Sequence, residues 1–137
     1  MGQNRKAYFT QKTRLNRMRK AVLVFLQREG QLLLLDTDYG HKRVWNGVSG
    51  YIDGDETPEQ AVVREVKEEI GVDIDEQDLT QKGENEFFTI FTTTSWLGEP
   101  KPMEEDIKEL KLFKIDELPW GQMHEGNKEW LYPMLST

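Results

Sequence analysis

The sequence predicts an α/β domain, a mixed β-sheet sandwiched between helices. Two observations predict it. Short runs of β-type residues lie on both sides of one strongly marked helix, and a second helical segment follows the last of those runs.

Residues 19–27 read as a strand, and Arg28-Glu29-Gly30 as the turn that leads to a second strand at residues 31–35. Together they form a predicted hairpin. Residues 36–43, rich in Asp, Gly and Lys, read as a loop. Residues 44–49 form a short apolar segment interrupted by Gly47. The helix that follows spans residues 58–70. Thr57 caps it, Pro58 fits its first turn, Gln60 completes a Thr-x-x-Gln capping box, and Gly71 stands at the C-terminal stop. Residues 86–95, rich in Phe, Thr and Ile, read as one long strand. Residues 97–106 form a loop punctuated by Gly98, Pro100 and Pro102, and residues 110–115 are the last strand. Asp116-Glu117-Leu118-Pro119 turns the chain away. Asn127 is read as the cap of a closing helix that Pro133 breaks or bends.

The 137 residues suit a single core, and no linker or repeat divides them. The longest apolar run, residues 21–26, falls far short of the roughly 20 residues a bilayer requires, so no membrane partner is expected. Cysteine is absent and there are two histidines, which excludes thiolate chemistry and disfavours a histidine-rich zinc site. Any metal here is held by oxygen. A cytoplasmic location follows as the expectation.

The net charge of −7 is unevenly spread. Residues 1–28 carry 8 of the 18 basic residues and no acid, which leaves 10 basic against 25 acidic residues in the remainder. An acidic body repels polyanions unless cations intervene, so nucleic acid is not the expected partner. Residues 1–18 read as a basic N-terminal extension, either a solvated arm or added edge strand, or a contact for phosphate or RNA. The oligomeric state stays open.

On the helix, Val62, Val63, Val66 and Ile70 fall in one arc of about a third of a turn, the expected core stripe. Glu65, Glu68 and Glu69 stand at i, i+3 and i+4 on another face. Like charges so spaced cost a few tenths of a kcal/mol per pair on a bare helix. A divalent cation reverses that sign, and Mg²⁺ prefers a few carboxylates completed by water and substrate phosphates. The bland alternative is a solvated acidic face, with Arg64 paired to Glu68 and Lys67 offsetting the rest.

The residues upstream change the balance. Gly50, five intervening residues, Glu56, seven more, then Arg64-Glu65-Val66-Lys67-Glu68-Glu69-Ile70-Gly71-Val72 fill every fixed position of the Nudix box. Chance would supply such a match on the order of 10⁻⁹ times per starting position. The chain therefore resembles the Nudix hydrolases, which implies the Nudix fold over residues 19–137. It implies hydrolysis of a nucleoside diphosphate-linked compound with Mg²⁺ as cofactor, Mn²⁺ being a substitute. Within the resemblance Glu65, Glu68 and Glu69 bind metal, Glu56 acts through water or orients the loop, and Arg64 holds loop and carboxylates in place. Gly50 permits a tight strand-to-loop turn. Ser49 stands where many relatives have a glycine whose carbonyl binds metal. A carboxylate beyond the helix often serves as base or extra ligand, and the candidates are Glu104, Glu105, Asp106 and Glu109.

Beyond the box the chain is similar to MutT-like hydrolases of ordinary and oxidised nucleoside triphosphates, with a nucleotide as the implied substrate. Trp45-Asn46-Gly47 is shared with the oxidised-purine enzymes, where the matching Asn contacts the base. Asn46 can pair with a purine edge as donor and acceptor, or cap its own loop. Where the human-type enzymes carry an aromatic and two Asp residues, this chain offers His124, Gly126 and Asn127. Trp120, Trp130 or Phe88 can stack on a base or serve the core. Three readings follow: a triphosphate cut to monophosphate and pyrophosphate, a nucleotide sugar or dinucleotide cut by the same chemistry, and a non-catalytic nucleotide-binding module. The intact set of box charges argues against the last.

Overall fold

The computed structural model describes residues 20–136. The basic extension at residues 1–18 lies outside them. Its order of elements is β1 (Ala21–Arg28), β2 (Gln31–Asp38), β3 (Arg43–Asn46), β4 (Val48–Tyr51), α1 (Pro58–Ile70), β5 (Thr80–Glu84), β6 (Phe88–Thr93), β7 (Ile107–Lys114) and α2 (Asn127–Leu135), with short 3₁₀ turns between.

The backbone path is β3-β2-β1-β6-β5, with β4 joined to β1 and β7 joined to β2. The β1–β6 pair is parallel and the other pairs are antiparallel, so the sheet is mixed as expected. Strand β1 is the spine. Its side chains alternate between faces, as the two-residue period requires. Val22, Val24 and Leu26 join Ala61, Val62, Val66 and Ile70 of α1 in one buried cluster. Ala21, Leu23 and Phe25 join Leu131 and Leu135 of α2 in the other. One helix covers each cluster, giving the predicted sandwich.

Helix α1 has the predicted bounds because its stop signals are local. Thr57 Oγ1 accepts from Gln60 N at 3.1 Å, Gln60 Oε1 accepts from Thr57 N at 3.0 Å, and Gly71 closes the helix at φ 77°. The core stripe differs in detail: Ala61 is buried and Val63 only partly so.

Elsewhere the boundaries shift for physical reasons. The apolar segment at residues 44–49 is two strands, since the chain changes partner at Gly47, from β2 to β1. A Cβ at Gly47 would come within 2.6 Å of the Val24 carbonyl. The predicted long strand at residues 86–95 is β6 alone. Asn85 Oδ1 accepts from the backbone of Phe87 at 2.8 Å and of Phe88 at 2.7 Å, and this turn joins β6 back to β5, a polar edge strand with no apolar alternation to betray it. β7 starts three residues earlier than expected because Ile107 registers opposite Thr37 beyond a bulge. Gly126, not Asn127, is the N-cap of α2, and Asn127 is its buried first residue. Pro133 lies inside α2 without ending it. The carbonyl it leaves without an amide, that of Glu129, belongs to an exposed residue that water can serve. No helix among the described residues is long and apolar enough to cross a membrane.

Candidate functional site

Arg64 organises one end of the domain. Its Nε donates to Glu56 Oε2 at 2.7 Å and its Nη2 to Glu56 Oε1 at 2.9 Å, a two-pronged pair. Nη2 also reaches the Tyr51 carbonyl at 2.9 Å, and Nη1 reaches Glu65 Oε2 at 2.8 Å. Glu68 Oε1 lies 3.5 Å from Nη1 and Asp53 Oδ2 3.7 Å from Nη2. The hydrogen bonds to Glu56 first, and then to Glu65, hold the guanidinium charged well above its ordinary range. A planar fork suits this task, since one ammonium cannot meet two carboxylates and a carbonyl at fixed angles.

Glu56 is fastened from both sides. It takes the arginine fork, and its Oε1 accepts from Asp53 N at 2.8 Å across the turn that carries Gly54 at φ 46°. Glu56 thus ties the loop between β4 and α1 to the helix through Arg64.

The three helix glutamates are not equivalent. Glu65 is 1% exposed and Glu69 2%, whereas the Glu68 side chain is 38% exposed. The bland reading therefore fails for Glu65 and Glu69, which are buried, and holds for Glu68, which is exposed and pairs with Arg64. Burial pushes the Glu65 carboxyl up, opposed by hydrogen bonds with Glu69 and Arg64. Lys67 does not offset these charges, for it pairs with Asp73 at 3.1 Å.

Gly50 has a different reason than the tight turn the sequence suggested. It sits within β4, opposite Val22, and its φ is not positive. A Cβ there would overlap the carboxyl carbon and Oε2 of Glu65. Only glycine leaves room for that buried carboxylate against the strand. Ser49, its neighbour, is buried and pairs with Leu23, so its side chain points to the face opposite the glutamate helix and only its backbone is a candidate ligand. Among the described residues no three acidic or imidazole side chains close into a cage, and Arg64 contacts both Glu65 and Glu68.

The later acidic candidates separate. Lys101 N donates to the Ile70 carbonyl and Met103 N to the Glu69 carbonyl, both at 3.0 Å, so their loop closes the last turn of α1. Glu104, half-buried, is the acid that follows this contact, with Glu105 exposed beside it. The Asp106 carbonyl accepts from Asp38 N at 2.7 Å. Glu109 registers opposite Asp36, where its charge acts on Arg43, and the structure does not place it with the helix glutamates.

A cavity of about 840 Å³ is lined by Lys42, Asn85, Glu86, Phe87, His124 and Trp130 among others. The register explains its position. Ala21 pairs with Tyr51 on one side and Phe88 on the other, and its N–H donates to the Phe87 carbonyl at 2.9 Å. The end of β4 and the start of β6 thus flank one strand end, about 10 Å apart. Asn46 Oδ1, Asn127 Nδ2 and His124 Nε2 are among the buried polar atoms that lack a hydrogen-bond partner among the described residues. Of the aromatics named from sequence, Trp130 lines the cavity and stacks on Phe88 at 6.4 Å. Trp45 instead packs edge-on against Phe113 at 5.1 Å, and Trp120 against Tyr132 at 6.1 Å. Sequence reasoning assigned no role to Lys42 or residues 85–87, because nothing local marks a wall made from three distant segments.

The family model for the NUDIX domain matches residues 17–135. The chain belongs to the Nudix family. Among curated Nudix relatives, it is 33% identical over 107 residues to the NAD-capped RNA hydrolase NudC of Stutzerimonas stutzeri, a match covering 75% of this chain and 39% of that protein. It is 34% identical over 99 residues to the oxidized purine nucleoside triphosphate hydrolase of Danio rerio, covering 66% of this chain and 62% of that one. The chain thus spans about two fifths of the first relative and three fifths of the second. Among solved structures, MutT of Aliivibrio salmonicida and Vibrio cholerae has the same Nudix fold at TM-score 0.71 and 19% identity, over 86% of this chain and 97% of that one. The MutT Nudix hydrolase from Burkholderia pseudomallei matches at TM-score 0.69 and 23% identity, over 81% and 93%.

Proposed function

We propose that this Nudix chain is a magnesium-dependent pyrophosphohydrolase that cuts a nucleoside triphosphate to its monophosphate and pyrophosphate, acting in the cytoplasm. The observation that carries the reading is the Arg64-ordered set, with Glu65 buried against Gly50 and Glu68 exposed beside it. Arg64 offsets part of the charge of this set, and a bound cation would offset the rest.

The donor set fits a hard divalent cation. It is all oxygen, and Glu65, Glu68 and Glu69, with the Ser49 carbonyl, are the groups that would hold it. Such a cation, Mg²⁺ or Mn²⁺, would neutralise the diphosphate and favour ionised water. The chain's own groups do the rest. Arg64 and Glu56 keep loop and helix in register. A carboxylate of the 104–106 loop, Glu104 or its neighbours Glu105 and Asp106, takes the proton of the attacking water. The water oxygen bonds to one phosphorus of the α–β bridge, and the bridging P–O bond breaks with its electron pair on the departing pyrophosphate or nucleoside monophosphate.

Base recognition falls to Asn46 and Asn127, whose buried amide atoms want partners. Replacing Asn46 with Ala is expected to lower kcat/KM for the preferred nucleotide about ten- to a hundredfold, because a site built to hydrogen-bond a group discriminates through it. Poor substrates should lose less. Equal ratios across a purine and pyrimidine panel in both proteins would reduce Asn46 to a loop residue.

A second reading, a dinucleotide or nucleotide sugar as substrate, is favoured by the likeness to the relatives named NAD-capped RNA hydrolase. One assay separates the two. Nucleoside triphosphates, a nicotinamide dinucleotide and a nucleotide sugar are incubated with Mg²⁺ and the products resolved. Pyrophosphate with a monophosphate supports the first reading, two monophosphates the second, and no cleavage of any compound overturns both.

A further inference from the structure

The cations of the box helix are spent on the protein itself. Arg64 is taken up by Glu56, Glu65 and the Tyr51 carbonyl, and Lys67 pairs with Asp73. From Lys20 onward the chain sets 12 basic residues against 25 acidic ones, whereas 6 basic residues and no acid precede it. A polyphosphate keeps net negative charge after one divalent cation binds it, so the acidic body still repels it. The chain's reserve of positive charge is the segment before Lys20.

The root of that segment lies against the box. The Lys20 carbonyl accepts from Ile52 N at 3.1 Å. The adjoining Tyr51 carbonyl accepts from Arg64 Nη2 at 2.9 Å, and the same guanidinium reaches Glu65 at 2.8 Å. A short relay of contacts thus joins Lys20 to the carboxylate set. On the other side, Lys20 Nζ donates to the Asn85 carbonyl at 3.3 Å and Ala21 N to the Phe87 carbonyl at 2.9 Å. The chain therefore enters β1 between the box loop and the turn from β5 to β6. Arg17 and Arg19 lie outside the described residues, yet covalent geometry confines them. The Cα of Arg19 stands about 4 Å from that of Lys20, and the Cα of Arg17 no more than about 11 Å. Whatever path the segment follows, both guanidinium groups are tethered in the neighbourhood of the box, at an effective concentration on the order of millimolar.

We propose that Arg17 and Arg19 bind the phosphates of the substrate, supplying from the N-terminal segment the positive charge that the box lacks. This rests on the pyrophosphohydrolase reading above, and it selects one of the roles that the sequence left open for the basic extension. A planar guanidinium fork suits two phosphate oxygens at once. Such contacts serve ground state and transition state alike, so they act on KM and not on kcat.

The test uses three forms of the full chain: wild type, the double variant Arg17→Gln, Arg19→Gln, and the double variant Arg17→Lys, Arg19→Lys. Calorimetry with pyrophosphate and Mg²⁺ reads binding without a base. The Gln pair should weaken it about fivefold or more at low ionic strength and less than about twofold at about 0.5 M salt. KM for a cleaved nucleotide should rise in step, with kcat and melting temperature unchanged. The Lys pair keeps the charge and should recover most of the affinity. Equal affinity and salt dependence in wild type and the Gln pair overturn the proposal. So does a loss that persists at high salt with a lowered melting temperature, which marks a structural segment, and so does a wild type that binds no pyrophosphate. If wild type cleaves no nucleotide, the functional reading falls, and calorimetry still judges the two arginines by themselves.

Discussion

Glu68→Gln and Glu69→Gln are each expected to lower turnover by at least about a hundredfold with the fold intact, and excess EDTA to abolish it in the unaltered chain. Gln keeps the shape of Glu and removes one charge, so the loss isolates electrostatic stabilisation, commonly about 3 kcal/mol for a single group aimed at developing charge. Glu68 gives the cleaner comparison. It is exposed, its contact with Arg64 is long, and a surface pair of that kind contributes about 1 kcal/mol at most to stability. Its melting temperature should therefore barely move while its rate collapses. Glu69 is buried, so its variant needs a thermal melt beside the rate to show that packing survived. Near-normal rates in both variants, or sustained turnover in EDTA, would move the chemistry away from this helix.

Gly50→Ala is expected to cost about as much activity, by another route. The added Cβ would overlap the Glu65 carboxyl, and both sides of the clash are confined. Gly50 is paired with Val22 in the middle of the β1–β4 ladder, and Glu65 is locked to Arg64 at 2.8 Å. The strand has little freedom to retreat, so the carboxylate must swing out and release one prong of the arginine. Misplacement by about 1 Å is enough for roughly a hundredfold loss in rate. Overpacking should also lower stability by about 1–3 kcal/mol. In the Gly50→Ala, Glu65→Ala double variant the space is returned, so stability should recover while activity stays low. If the single variant melts and reacts like the parent, the glycine is only a conformational choice.

The helix and its carboxylates were legible because every signal for them is local. Thr57, Pro58, Gln60 and Gly71 lie within one element, and the glutamate spacing is read along the same helix. The purpose of Gly50 was not legible, since its partner Glu65 is met only after a loop and two helical turns. β5 escaped because Thr80, Gln81 and Glu84 are polar and its pairing with β6 rests on backbone, not on apolar alternation. The unequal burial of Glu65 and Glu68 depends on what packs over the helix, which periodicity along one segment does not report. The cavity is the extreme case: Lys42, Phe87 and His124 come from three segments with no shared spacing.

The alternation along β1 separates two kinds of tinkering. Val22 and Val24 form the bed under the carboxylate helix, whereas Leu23 and Phe25 back the opposite layer, where Met123 and Trp130 pack. A mutation that reshapes the second layer can retune which molecule enters without loosening the bed. One that trims Val24 strikes the reaction whatever the substrate. A lineage carrying this strand is thus free to exchange diets residue by residue while its cutting edge stays sharp, which is how one scaffold comes to serve many substrates.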